Sequence, residues 1–272
     1  MPTVANIRPV NWGNSITRSM VFLVDCARAR GNTLPRNIAG KLSNGTLKYG
    51  VGTISEAAGQ AGPALVFPSS YDAAMRFGAS TEFQGKEAFS AMWQGEFHVT
   101  SGNGAHQSLL GNGDPASTYQ WMVVALKDVG SGGTQKFIFY PKSGASVTSA
   151  ASYQYQTLYT VIGTYDGANA RIYVNGWLDG TAAATGNSTG AGYIWINNGF
   201  YDGGPNKARC AAIWDRVLTP EEIRVLGNNP LRRLLRPATS LADLYVPAAG
   251  GGGSSAFNPA WARNSNVMIG VG

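Results

Sequence analysis

Six glutamates are the residues from which acid–base chemistry would have to be built: Glu56, Glu82, Glu87, Glu96, Glu221 and Glu222. Cleaving a glycosidic bond from a β-sheet needs two carboxyl groups facing one cleft. Carboxyls two residues apart, as at the start of an E-x-D-x-x-E string, supply them, because alternate side chains of a strand share a face. That string does not occur. Glu221 and Glu222 open a helix, and none of the other four has an Asp or Glu two residues away. Glu82 and Glu87 are the remaining distant pair, and solvated strand-end residues are the simpler account of them. His98 and His106 have no nucleophile-elbow sequence around any serine, and with Cys26 and Cys210 they give no zinc-ligand spacing. No catalytic residue and no enzyme activity is expected.

Binding chemistry is better represented. A sugar site stacks the apolar face of a ring on an aromatic side chain and meets the hydroxyls with Asn or Asp. Residues 197–202, Asn-Asn-Gly-Phe-Tyr-Asp, have that composition, and Trp177 stands next to a turn. Trp177, Tyr201 and Asp202 are therefore the candidate glycan-binding residues. The competing account of the loop is a hairpin whose aromatics cap the core. Trp93, Trp121, Trp195 and Trp214 are expected in the core.

These groups have to be positioned by strands. Residues 159–165 and 170–174 are β-branched and aromatic runs separated by Asp166-Gly167-Ala168-Asn169, which predicts a hairpin. Val174-Asn175-Gly176 turns the chain again, and 193–196 and 209–214 are two more strands. Upstream, 20–25 is the first strand. Short β pieces are expected at 46–49 and 65–67, and five further strands fall between residues 74 and 140. Residues 141–158 and 181–192 read as connections rich in Ser, Thr, Ala and Gly. After them Thr219 as N-cap, Pro220 at the first helical position, Glu222 three after the cap and Gly227-Asn228 as the stop specify a short helix.

The string TYDGANARIYVNG, followed by IWDRVLTPEEI and the Asn229-Pro230 ending, resembles the laminin-G/concanavalin A-like lectin domains of bacteriophage virion proteins. Residues 159–237 carry the specific match, and residues 7–158 fit more loosely through Arg8-Pro9-Val10-Asn11-Trp12 and the run 20–24. The resemblance implies an all-β, two-sheet antiparallel jelly-roll sandwich with one short C-terminal helix and extended terminal arms. It does not by itself imply an activity. It also brings in the one cofactor to consider, calcium, held in many such domains by Asp, Asn and backbone oxygens. Asp166, Asp179 and Asp202 each precede a glycine, which is equally turn chemistry, and no matching ligand set is evident.

The expected organisation is an N-terminal arm at 1–19, the sandwich at 20–246, a Gly-rich linker at 247–255 and a C-terminal arm at 256–272. The linker contains four consecutive glycines, yet the arm beyond it carries Phe257, Trp261, Val267, Met268 and Ile269. Those apolar residues are read as an assembly element. Only 13% of residues are charged, which favours assembly with partners over a free monomer. The net charge of +6 suits docking on an acidic protein surface, and no nucleic-acid motif accompanies it. No stretch approaches the ~20 apolar residues of a membrane helix, and residues 1–8 have no signal-peptide core. Cys26 and Cys210 are expected as buried free thiols in a protein made in a host cytoplasm.

Together these features predict a non-enzymatic virion structural protein, a capsid decoration or tail-surface component. Its expected partners are other virion proteins and further copies of itself. The alternative is a tail adhesin for host-surface glycan, and a polysaccharide hydrolase stands third.

Overall fold

The computed structural model describes residues 10–26, 37–39, 46–48, 55–59, 62–67, 74–80, 86–97, 107–114, 118–128, 135–142, 145–185, 192–197 and 206–235. The chain divides into two units, Met1–Pro237 and Ala238–Gly272, and all described residues lie in the first. Tyr201, Asp202 and the arm residues Phe257, Trp261, Val267, Met268 and Ile269 lie outside them.

The strands run β1 (Met20–Asp25), β2 (Thr46–Lys48), β3 (Ser55–Gly59), β4 (Gly62–Val66), β5 (Ala74–Ser80), β6 (Phe89–Glu96), β7 (Gln107–Asp114) and β8 (Thr118–Asp128). They continue as β9 (Gln135–Lys142), β10 (Ala145–Thr148), β11 (Leu158–Tyr165), β12 (Asn169–Val174), β13 (Trp177–Ala183), β14 (Gly192–Ile196) and β15 (Lys207–Trp214). Two helices follow, α1 (Pro220–Leu226) and α2 (Pro230–Leu234). One sheet is ordered β13-β12-β11-β6-β15-β4-β3, with β1 also paired to β15. The other is β10-β9-β8-β7-β14-β5-β2. Every pairing between the described strands is antiparallel.

The predicted two-sheet sandwich is therefore present, and the structure corrects its details. Residues 145–148 and 177–183, read from sequence as connection or turn, are edge strands, and β3 adds a strand at 55–59. A second, five-residue helix, α2, follows the capped one. Its Pro230 sits at the first turn, and the Asn229 side chain accepts from Arg232 N.

Alternation along the strands sorts side chains onto two faces. Phe89, Ala91 and Trp93 of β6, Val161 and Tyr165 of β11, and Ile172 and Val174 of β12 face the seven-stranded sheet and join one core cluster. There Phe97, Phe137, Tyr153 and Tyr159 stack with ring centroids 4.9–5.6 Å apart. Met92, Ile162, Tyr173, Ala212 and Trp214 point the other way, into a second cluster with Val10, Ile16 and the helices. Residues 10–18, assigned from sequence to the N-terminal arm, lie over this same domain. Val10 bridges Leu235, and Trp214 Nε1–H donates to Ile16 O at 2.7 Å.

Both cysteines are free and buried. Cys26 belongs to the first cluster and Cys210 to the second, so they occupy opposite faces of one sheet. Burial pushes both thiols well above their ordinary range.

Candidate functional site

The β12–β13 connection is a two-residue turn, Asn175-Gly176, with φ of 51° and 88°. Both values fall in the left-handed region, which Asn and Gly tolerate and which matches the twist of a tight hairpin. Asn175 also fastens the turn to β11: its N–H donates to Thr160 O at 2.8 Å, and its Oδ1 accepts from Thr160 N–H at 2.9 Å. Helix α1 lies directly against this turn. A Cβ at Gly227 would stand 2.4 Å from Asn175 C and Gly176 N, so only glycine permits the approach.

The helix itself forms where the sequence placed it. Thr219 Oγ1 accepts from Glu222 N–H, Glu222 Oε2 accepts from Thr219 N–H, and Pro220 begins the first turn. Glu222 also pairs with Arg216, at 2.7 and 2.8 Å to its two oxygens. Burial alone would raise the Glu222 carboxyl. The Arg216 guanidinium and the Thr219 N–H outweigh it and hold the carboxyl below its ordinary value.

This packing presents Trp177, 61% exposed, at the start of edge strand β13. The Arg224 guanidinium of α1 sits 4.2 Å from the ring centroid, a cation–π contact of about 0.5–1 kcal/mol at such an exposed site. Leu178 and Val225 are exposed beside the pair in sequence. Trp177 is thus a ring fixed from behind by a glycine-tight turn and from one side by an arginine, with most of its surface open.

Asp179, two residues on, anchors the neighbouring loop. Its backbone O accepts from Ala150 N–H, its Oδ1 from Ala151 N–H, and its Oδ2 from Tyr153 O–H at 2.5 Å. Burial first, and then the bond to Asp179, push the Tyr153 phenol far above its ordinary range. That loop carries Tyr155, 46% exposed, an aromatic that sequence reasoning passed over inside a polar connection. Asp166 holds the β11–β12 turn by accepting from the N–H groups of Ala168 and Asn169 and pairing with Arg171 at 2.6 Å. Asp166 and Asp179 are each engaged in turn and loop chemistry. No group of three His, Cys, Asp or Glu side chains suited to a metal occurs among the described residues.

Glu96 is buried in an ion pair with Lys207 at 2.9 Å, and Glu87 is exposed. His98, His106, Glu82 and the Glu56 side chain lie outside the described residues. On the seven-stranded sheet Arg76 repeats the arginine–aromatic motif, 4.2 Å from the Tyr193 ring centroid and 6.0 Å from that of Trp195. Trp195 is only 1% exposed, so that stack serves packing. Trp93 and Trp214 are likewise buried in the core as expected. No helix among the described residues is long and apolar enough to cross a membrane.

Residues 127–224, a stretch that includes both Trp177 and Arg224, match the family model described as the Concanavalin A-like lectin/glucanases superfamily. No curated protein matches the sequence. Among solved structures, domain 4 of AbnA, a GH43 extracellular arabinanase from Geobacillus stearothermophilus in complex with arabinotriose, aligns at a TM-score of 0.58 and 16% identity. The alignment covers 77% of this chain and 98% of that one. The binding domain of botulinum neurotoxin DC in complex with SialylT aligns at 0.57 and 15%, covering 79% of this chain and 52% of that one. Trypanosoma rangeli sialidase aligns at 0.53 and 12%, covering 79% and 33%. The chain thus spans about half of the toxin binding domain and a third of the sialidase, and identities this low establish likeness of fold alone. Residues 127–224 thus match a concanavalin A-like lectin/glucanase family model, and the two antiparallel sheets share their sandwich fold with these structural neighbours.

Proposed function

We propose that this protein is a non-enzymatic, glycan-binding sandwich displayed on a virion surface, with Trp177 as its stacking platform. The observation that carries the reading is the exposure of a tryptophan whose backbone, turn and stacking partner are all fixed. A pre-positioned ring loses little conformational freedom when a sugar docks, and buried aromatic–sugar contact is the main apolar term available to so polar a ligand. Two structural neighbours of the same fold are solved with arabinotriose and with SialylT, which supports this function over a purely structural one. The non-enzymatic part of the reading is supported by Glu96 and Glu222, each committed to an ion pair.

The virion setting is supported by the resemblance of residues 159–237 to phage domains. In it the apolar arm, Phe257 to Ile269, joins the sandwich to neighbouring virion subunits or to further copies of itself.

Glycan-array binding of the full chain, beside Trp177→Ala, tests the sugar reading. Wild type is expected to retain a defined set of saccharides that the variant loses by tenfold or more, about 1.4 kcal/mol. Equal retention by both proteins, or no retention by wild type, would overturn it. Truncation after Ala249 tests the arm: the shortened chain is expected to stay folded but no longer join particles or oligomers. Unchanged assembly would refute that role.

A further inference from the structure

The Trp177 site also carries a charge that the fold leaves unanswered. Among the described residues the ion pairs are Lys86–Asp215, Arg171–Asp166, Lys207–Glu96 and Arg216–Glu222, and Arg224 belongs to none of them. Glu221, three residues earlier on α1 and exposed, is placed by helical spacing to reach it but makes no such pair. On α2, Arg232 and Arg233 are also exposed and form no ion pair among the described residues, so positive charge prevails on the two helices.

The Arg224 guanidinium carbon lies 4.2 Å from the Trp177 ring centroid, and the group carries its N–H donors in one rigid plane. Those donors make no hydrogen bond to any of the described residues. A planar fork of this kind matches a carboxylate bidentately, with a directional bond that a lysine ammonium does not reproduce.

We infer that the ligand of this site is an acidic oligosaccharide, a uronate carboxylate pairing with Arg224 while a sugar ring of the same chain stacks on Trp177. The inference rests on the glycan-binding reading above and names its ligand class. Arg224 sets the preference for acid, and Trp177 supplies the contact that neutral and acidic sugars share. Because the guanidinium is already held against the ring, pairing it costs little further ordering.

Calorimetric titration of the full chain with oligogalacturonate, with a neutral galactan oligosaccharide of the same length and with its sulfated derivative provides the test. Wild type is expected to bind the uronate about tenfold more tightly than the neutral chain, an advantage that shrinks as salt screens the exposed charge. Arg224→Gln should abolish that advantage, so that uronate and neutral chains bind alike, and Arg224→Lys should restore only part of it. Trp177→Ala should weaken both ligands together, and a thermal melt of each variant separates lost binding from lost folding. Equal binding of neutral and acidic chains by wild type, or an unaltered preference in Arg224→Gln, overturns the inference while the glycan-binding reading stands. Preference for the sulfated chain over the uronate overturns the carboxylate assignment. Binding of none of the three by well-folded wild type removes the inference, and failure on the wider array would remove the reading beneath it.

Discussion

The eight-stranded sheet buries its two faces by different means. Its inner face meets the other sheet across a layer of interlocked rings, with Phe89, Phe97, Phe137, Phe139, Tyr159 and Tyr165 in edge or stacked contact. Gly163 stands so close to Phe139 that an added Cβ would fall 2.4 Å from the ring. The outer face is roofed by short pieces from the two ends of the domain, residues 10–18 and helices α1 and α2. Those pieces are held by polar clamps as well as by apolar contact. Ser90 Oγ donates to Arg216 O and accepts from Leu218 N–H. Arg216 reaches Arg18 O and Ser15 O while gripping Glu222. Packing of large rings sets stability, and a clamped cover leaves a surface that can be shaped for function. Trp177 and Arg224 lie where cover and sheet edge meet.

The largest effect should come from breaking the inner face. Phe137→Ala removes a ring packed against three others and should cost about 3–5 kcal/mol in urea denaturation. A loss below that of any single cover substitution would refute the division of labour. Trp214→Phe keeps a ring on the outer face but strands the Ile16 carbonyl, and should cost about 1–3 kcal/mol. Amide exchange should accelerate in residues 10–18 while β11 keeps its protection. Uniform acceleration would show that the cover is not a separate layer. Thr219→Ala removes the α1 cap at a cost of about 1 kcal/mol, and Thr219→Ser should restore it.

The smallest effect is acid dependence. The Glu222 carboxyl is held below its ordinary value in the fold, so its contribution is present above the unfolded pKa and is lost as pH falls through the folded one. Burial raises the Asp166 carboxyl at the β11–β12 turn, but the Arg171 guanidinium and the Asn169 and Ala168 N–H groups outweigh it and hold it at about 2. Acidification should therefore loosen residues 220–235 before that turn, and Glu222→Gln should flatten that response. Simultaneous loosening of both would count against the assignment.

Much of this was legible because the signals are local. The Asp166-Gly167 turn between two β-branched runs, and the Thr219–Glu222 box with Pro220, specify their hairpin and helix through contacts a few residues apart. β13 was not legible. Trp-Leu-Asp-Gly-Thr-Ala-Ala has no clean alternation, and the stretch is a strand because Asn175-Gly176 delivers it to β12 and Asp179 ties it to the 150–153 loop. The α2 residues Pro-Leu-Arg-Arg-Leu are too few to declare a helix without the roof they complete.

The site divides in the same way. Sequence alone determined that Trp177 follows a turn, that no E-x-D-x-x-E string occurs and that two cysteines are too isolated for a framework. Only the tertiary structure decided that Arg224 stacks on Trp177. It also decided that Tyr155 stands exposed on the loop Asp179 anchors, and that Cys26 and Cys210 lie on opposite faces of one sheet. The physical reason is register: strand pairing and side-chain parity decide which distant residues meet. Neither is encoded at the residues themselves, because each depends on the neighbouring strand against which they are laid.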